Sequence, residues 1–272
     1  MSKTFIVAEA GVNHNGDLAI AKQLIDAAKE SGADAVKFQS FKAEKLYRDT
    51  DERQKLFKSW ELSWNQHFEL WDYAEKTGIE IFSSVFDIES LELLLELKTR
   101  LLKIPSGEIT NLPLLRAIND NAINGMEVIL STGMSHMAEI AIAVQELSDV
   151  DLTLLHCTSC YPTLPEDVNL LAMQTLATYF EIPVGYSDHT TSLLTPVIAV
   201  SLGACILEKH FTLSRYQLGA DHHMSTTPFR FKRMVKKIRT TETMLGSPRK
   251  MVLPCEEETR TAARRSASGY RE

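Results

Sequence analysis

Eight short apolar or β-branched runs recur along the chain and alternate with longer segments of helical periodicity, and this alternation constrains the fold more than any other feature. The runs are FIVAEA from Phe5, AVKFQ from Ala35, IEIFSS from Ile79, LLKIPS from Leu101, EVILST from Glu127, LTLLHCT from Leu152, IPVGYSD from Ile182 and ACILEKHF from Ala204. Strands separated by helical crossovers run parallel, and eight of them suffice to close a barrel. A barrel of roughly 250 residues uses nearly all of the 272 present. The reading is therefore an α/β fold, a single-domain (β/α)8 TIM barrel over residues 1–246, followed by a charged tail at 247–272.

The intervening segments carry apolar residues three and four apart at Ala19–Ser31, Phe68–Lys76, Met137–Leu147 and Phe229–Leu245, with Gly32, Gly78, Gly203 and Gly246 placed to cap helices. The stretch from Phe41 to Asn65 is long and charged for a βα connection, so it reads either as a lid or substrate loop or as a surface insertion. The tail lacks an apolar stripe and reads as a docking arm or a loose end.

A net charge of -7 excludes an extended nucleic-acid surface, which needs clustered cations, and points to small-molecule partners. The first apolar run stops at Glu9, too short for a signal peptide or a membrane span, so a cytoplasmic location is expected. Cys157 and Cys160 form a C-x-x-C with no second pair, and Cys157, Cys160 and Cys205 are expected to pack as small hydrophobes rather than serve zinc or redox chemistry.

In a parallel barrel the reactive face lies at the C-terminal ends of the strands, and here every such end is polar. They carry Glu9 with Asn13 and His14, Lys37 with Gln39, Ser84 with Asp87, Lys103 with Ser106 and Glu108, Ser131 with Thr132, His156 with Tyr161, Ser187 with Asp188 and His189, and Glu208 with His210. Six of the eight histidines (14, 156, 189, 210, 222 and 223) fall at or just after a strand end. Period-two alternation puts Ser187 and His189 on one side of their strand, and Glu208 and His210 on one side of the next. Two imidazoles from adjacent strand ends, with Glu9, Glu208 or Asp221 nearby, suit an open divalent-metal site. Lys37 and Lys103 lie in apolar strands, where an unpaired ammonium is costly, so each needs an anion. That anion is either a ligand phosphate or carboxylate, helped by Ser106, Ser131 and the backbone N–H groups of Ser131–Gly133, or an internal partner among Glu9, Glu108 and Glu208.

At these residues the chain resembles the sialic acid synthase family. The likeness rests on AEAGVNHNGD at 8–17, GADAVKFQ at 32–39, LKIPSGEITNLPLL at 102–115, ILSTGM at 129–134, LLHCTSCYPT at 154–163, VGYSDHT at 184–190 and LEKHFTL at 207–213. Members of that family condense phosphoenolpyruvate with an N-acetylated amino sugar such as N-acetylmannosamine, add water and release inorganic phosphate. The resemblance implies that His189 and His210 hold a divalent metal, manganese first, with magnesium or cobalt as alternatives. It further implies that Lys37, Lys103, Ser106, Ser131, Ser159 and Ser187 bind phosphoenolpyruvate, that Tyr161, Glu108 and Asp221 face the sugar, and that Glu9, Glu108 or Glu208 relays a proton.

Three departures from the family pattern bear on these expectations. Thr227 stands where a glutamate is usual, Ser159 where neuraminate-forming members often have asparagine, and Ser84-Val85-Phe86-Asp87 replaces a Thr-Pro-Phe-Asp string. The sequence ends six residues after Ser266, whereas the family continues into an antifreeze-like domain that reaches a partner's barrel. The chain is thus expected to be the barrel of a possible homodimer, either a piece cut at that boundary or a natural short form. Competing expectations are a related keto-sugar-acid phosphate synthase, with Lys42, Lys45 and Arg48 gripping a second phosphate, and a barrel that binds without turnover.

Overall fold

The computed structural model describes residues 3–48, 50–121 and 125–269. Strands β1 (Phe5–Gly11), β2 (Ala35–Ser40), β3 (Glu80–Val85), β4 (Leu101–Ile104), β5 (Glu127–Ser131), β6 (Asp151–His156), β7 (Val184–Asp188) and β8 (Ile206–His210) form a closed parallel barrel in chain order. Helices α1 (Leu18–Glu30), α2 (Ala43–Leu46), α3 (Glu52–Trp60), α4 (Trp64–Thr77), α5 (Ile88–Glu96), α6 (Leu112–Asn121), α7 (Met137–Glu146), α8 (Ala172–Phe180) and α9 (Thr195–Ser201) lie between successive strands. Helix α10 (Pro228–Leu245) follows β8, and α11 (Glu257–Ala263) lies in the tail.

Local chemistry starts and stops these helices. The Asp17 carboxylate accepts from the backbone N–H groups of Ala19 and Ile20 at the head of α1, and Ser63 with Gln66 forms a reciprocal capping box on α4. Asp87 heads α5, accepting from Ser90 N at 2.7 Å, and also accepts from Lys42 N at 2.8 Å, which ties the β2 exit loop to β3. Gly78 closes α4 in the left-handed region, while Gly32, Gly203 and Gly246 follow α1, α9 and α10, each at positive φ.

The stretch from Phe41 to Asn65 holds α2 and α3 rather than an open loop. Phe41, Phe57, Trp60 and Phe86 pack with Val12 as a small apolar cluster beside the mouth. A Cβ on Gly16 would sit 2.2 Å from the Ser59 carbonyl, so only glycine lets the β1 loop approach the end of α3 this closely. Beyond α10, residues 247–269 are almost wholly exposed, a short 3-10 turn at Pro254–Glu256 leading into α11.

Side-chain alternation divides each strand between two environments. Ile6, Ala8, Val36, Phe38, Leu102, Ile104, Val128, Leu130 and Leu154 face the helices and join the main core with Leu24, Ile25, Leu70 and Phe231. Val7, Ala35, Phe82, Leu101, Ile129, Leu155 and Ile206 form a separate apolar cluster inside the barrel, which is a packed plug rather than a channel.

One buried ion pair sits on the outer side. Asp188 and Lys209 are register partners on β7 and β8, and both are almost fully buried. Lys209 Nζ donates to Asp188 Oδ2 and to the Thr190 carbonyl at 2.7 Å, while burial pushes its pKa down. Asp188→Ala leaves that ammonium without its counter-charge and is expected to cost about 3–5 kcal/mol of stability, read as a lowered urea midpoint. A midpoint unchanged from wild type would show that Lys209 finds another partner.

Candidate active site

A step of two residues beyond the apolar plug brings every strand to a polar or polarisable side chain. Val7 is followed by Glu9, Ala35 by Lys37, Phe82 by Ser84, Leu101 by Lys103, Ile129 by Ser131, Leu155 by Cys157, Gly185 by Ser187 and Ile206 by Glu208. All eight of these line one cavity of about 480 Å³ at the C-terminal mouth. Ser106, Glu108, Ser159, Tyr161, His189, His210 and Asp221 line it as well, so the structure brings together every residue to which the family resemblance gave a role.

Lys37 settles one alternative. Its Nζ lies 2.7 Å from Glu9 Oε2 and 3.5 Å from Glu208 Oε2, and donates to Ser84 Oγ at 2.7 Å, so its counter-ions are internal. Burial depresses its pKa, but Glu208 and Glu9 outweigh that and the net shift is upward. Burial also favours the neutral form of both carboxyls. At Glu208 the attraction of Lys37 and Lys103 and a 2.8 Å hydrogen bond from Ser187 prevail and hold it low, whereas Glu9 stays raised. Gln39 Nε2 donates to Glu9 Oε1 at 3.1 Å and fixes that carboxyl's orientation.

Lys103 has no such internal counter-ion among the described residues. It is 2% exposed, no carboxylate lies within ion-pair distance among the described residues, and Nζ donates only to the Ile104 carbonyl, at 3.0 Å. Burial is the largest influence and lowers its pKa to about 8. Ser106, Ser131, Ser159 and Ser187 line the same cavity. The backbone N–H groups expected to assist are engaged elsewhere: Thr132 N donates to the Leu155 carbonyl at 3.0 Å and Gly133 N to Ser106 Oγ at 3.1 Å. The backbone N–H groups of Thr132 and Gly133 are thus not free to meet an anion.

The opposite wall carries His189 and His210, with ring centroids 5.4 Å apart. His189 Nδ1 donates to the Thr158 carbonyl at 2.7 Å, which leaves Nε2 with a lone pair, 3.4 Å from Ser187 Oγ. Burial lowers the His189 pKa to about 3, so the ring is neutral at physiological pH. His210 Nδ1 is buried without a hydrogen-bond partner, 3.7 Å from Asp221 Oδ2. A neutral imidazole with an oriented lone pair beside an unsatisfied ring nitrogen fits a divalent cation. Among the described residues no group of three or more His, Cys, Asp or Glu side chains converges as a metal cage. Tyr161, half exposed, stacks on His189 at 4.4 Å, and Glu108, hydrogen-bonded by Asn111 at 2.7 Å, stands at the rim with its pKa raised by burial.

The other strand-end histidines are absent from this cavity. His14 Nδ1 accepts from Gly16 N, His156 bonds the Val168 carbonyl, His222 bonds Thr212 Oγ1, and His223 is exposed. They hold loops. Cys157 is buried as expected and Cys205 half-buried, but Cys160 is exposed and does not pack as a hydrophobe. The sequence reading missed Leu46, Tyr47, Phe57, Phe86 and Met134, which form the upper cavity wall. The length of the Phe41–Asn65 stretch was the available signal, and three of its residues do line the site. Lys42 pairs with Glu61 and Glu89, and neither it nor Lys45 nor Arg48 reaches the cavity, so no second phosphate patch forms there.

A closed parallel barrel with converged lysines, carboxyls and imidazoles at its C-terminal mouth defines a TIM-barrel enzyme. The chain belongs to the NeuB family, whose model matches residues 24–250. It is 47% identical over 284 aligned residues to the N,N'-diacetyllegionaminic acid synthase of Legionella pneumophila, covering 96% of this chain and 79% of that protein. It is 40% identical over 268 residues to the human N-acetylneuraminate-9-phosphate synthase, covering 93% and 74%. The crystal structure of the N-acetylneuraminic acid (sialic acid) synthetase of Leptospira borgpetersenii, in complex with citrate, superposes with a TM-score of 0.90 at 36% identity, covering 97% of this chain and 94% of that one.

Proposed function

We propose that this chain condenses phosphoenolpyruvate with the open-chain form of an unphosphorylated N-acetylated amino sugar, adding water and releasing inorganic phosphate to yield a nonulosonic acid. Lys103 carries the reading: a buried ammonium without a carboxylate partner, in a cavity that four serines also line, is suited to receive a small polyanion. Lys37 and Lys103 are the sole lysines or arginines among the described lining residues, and since Lys37 is already paired with Glu9 and Glu208, Lys103 alone is free to meet a small anionic donor. That favours an acceptor without a phosphate of its own and disfavours the keto-sugar-phosphate alternative.

In the reaction, the methylene carbon of phosphoenolpyruvate forms a bond to the sugar's aldehyde carbon. Water then adds at the neighbouring cationic carbon, and the resulting tetrahedral species breaks its carbon–oxygen bond to phosphate. Lys103 and the serines hold the donor and steady its charge from binding to release. His189 and His210 would hold a divalent metal, manganese first with magnesium or cobalt as alternatives, which supplies Lewis-acid polarisation of the aldehyde oxygen. Glu208, kept anionic, anchors Lys37 and accepts from Ser187. Glu9, whose pKa burial raises, is the carboxyl best suited to carry a proton at Oε1 or Oε2 between water and product. Tyr161, Glu108 and Asp221 line the side from which the sugar enters.

The test is phosphate release by the manganese-supplemented protein given phosphoenolpyruvate with N-acetylmannosamine, its 6-phosphate, or a 2,4-diacetamido-2,4,6-trideoxyhexose. Release is expected only when donor and a non-phosphorylated acceptor are both present. Tight donor binding with no release from any sugar would instead mark a barrel that binds without turnover.

A further inference from the structure

The floor of the anion subsite contains a thiol that the proposed reaction does not use. Cys157 is buried, and its Sγ lies 3.2 Å from Ser106 Oγ. Ser106 Oγ also accepts from Gly133 N at 3.1 Å. A serine hydroxyl has one proton to donate and two lone pairs to accept with. If the Cys157 thiol donates, both lone pairs of Ser106 are taken, and its single proton is left to point into the cavity.

Two features are compatible with that direction. Burial is the largest influence on Cys157 and pushes its pKa up, keeping the proton on sulfur. A Cβ on Gly133 would fall 2.9 Å from Cys157 Sγ, 2.9 Å from Ser106 Oγ and 2.4 Å from Ser159 Oγ. Only glycine permits this approach, which brings the three side chains together against one backbone position. Ser159 Oγ is itself buried with no hydrogen-bond partner among the described residues, so the same crowding holds a second hydroxyl ready for a ligand.

We infer that Cys157 is a positioning residue, whose thiol donates to Ser106 Oγ and thereby aims the Ser106 proton at the bound anion. The inference rests on the phosphoenolpyruvate-binding part of the proposed function and not on turnover. Cys157 touches no reacting atom. Its contribution is orientational: without it Ser106 can turn its proton away from the ligand, and the anion loses one hydrogen bond of fixed direction.

Calorimetric titration of the manganese-supplemented protein with phosphoenolpyruvate decides the matter, with inorganic phosphate as a second probe. Cys157→Ala is expected to raise the Kd for phosphoenolpyruvate about five- to tenfold, the scale of one lost hydrogen bond, while the KM for the sugar stays put. Cys157→Ser keeps a donor and should restore Kd to within about twofold of wild type. Ser106→Ala should weaken binding to a similar degree, and the Ser106→Ala/Cys157→Ala double variant should be no weaker than Ser106→Ala alone. Wild-type affinity in Cys157→Ala, a Cys157→Ser variant as weak as the alanine variant, or multiplying effects in the double variant would each overturn the inference. If the wild type binds the donor but releases no phosphate with any sugar, the proposed reaction fails and the Kd series still judges Cys157. If it binds neither probe, both fall.

Discussion

Lys103→Met is expected to make the protein more stable and nearly inactive. The ammonium is buried with only a backbone carbonyl as partner, and burial lowers its pKa from 10.5 to about 8. A shift of that size corresponds to roughly 3 kcal/mol of unfavourable free energy, which a buried methionine of similar length does not incur. The same change removes the charge that meets the donor, and kcat/KM for phosphoenolpyruvate should fall by about 10²–10³-fold. The pH dependence has a defined sign. Between about pH 8 and 10.5 the unfolded chain holds more protons at this position than the folded one, so stability rises with pH across that window, and the cost is fully present below it. Anion affinity runs the other way, falling as pH rises through about 8 because only the ammonium attracts the donor. Denaturant melts and donor titrations from pH 7 to 10 on both proteins measure the two trends. Equal stability of wild type and variant would mean that Lys103 is compensated by a partner other than Ile104.

The second large effect is expected at the imidazoles. His189→Ala and His210→Ala should each abolish retention of manganese after desalting and reduce phosphate release by at least about 10²–10³-fold. Melting temperature should change little, because both rings lie at the mouth and neither packs in the plug or the helix-facing core. His189 is additionally oriented by the Thr158 carbonyl, so His189→Gln, which cannot reproduce that geometry, should be as impaired as the alanine variant. Unchanged metal content and activity in both alanine variants would remove the metal assignment altogether.

Much of this site was legible because a strand is a ruler of period two. Once Val7, Leu101 and Ile206 are taken as interior, the residues two further on must face the same space, and Glu9, Lys103 and Glu208 do. The same count fails beyond the strand, where backbone direction is no longer periodic. His14, His222 and His223 follow strand ends yet hold or border loops outside the cavity, while Tyr47, just past α2, and Phe57, on α3, reach it far from any strand end.

The sequence by itself determined the barrel, its eight strands and the inward set of ionisable groups, since hydrophobic periodicity is a local property that each segment carries alone. Only the tertiary structure decided how those groups share charge. Lys37 is neutralised by Glu9 and Glu208 while Lys103 meets only the Ile104 carbonyl, although both are lysines two residues past an apolar strand position. The physical reason is that an ion pair depends on distances across the barrel, set by strand register and tilt, and no spacing along one strand encodes the separation between side chains on two others.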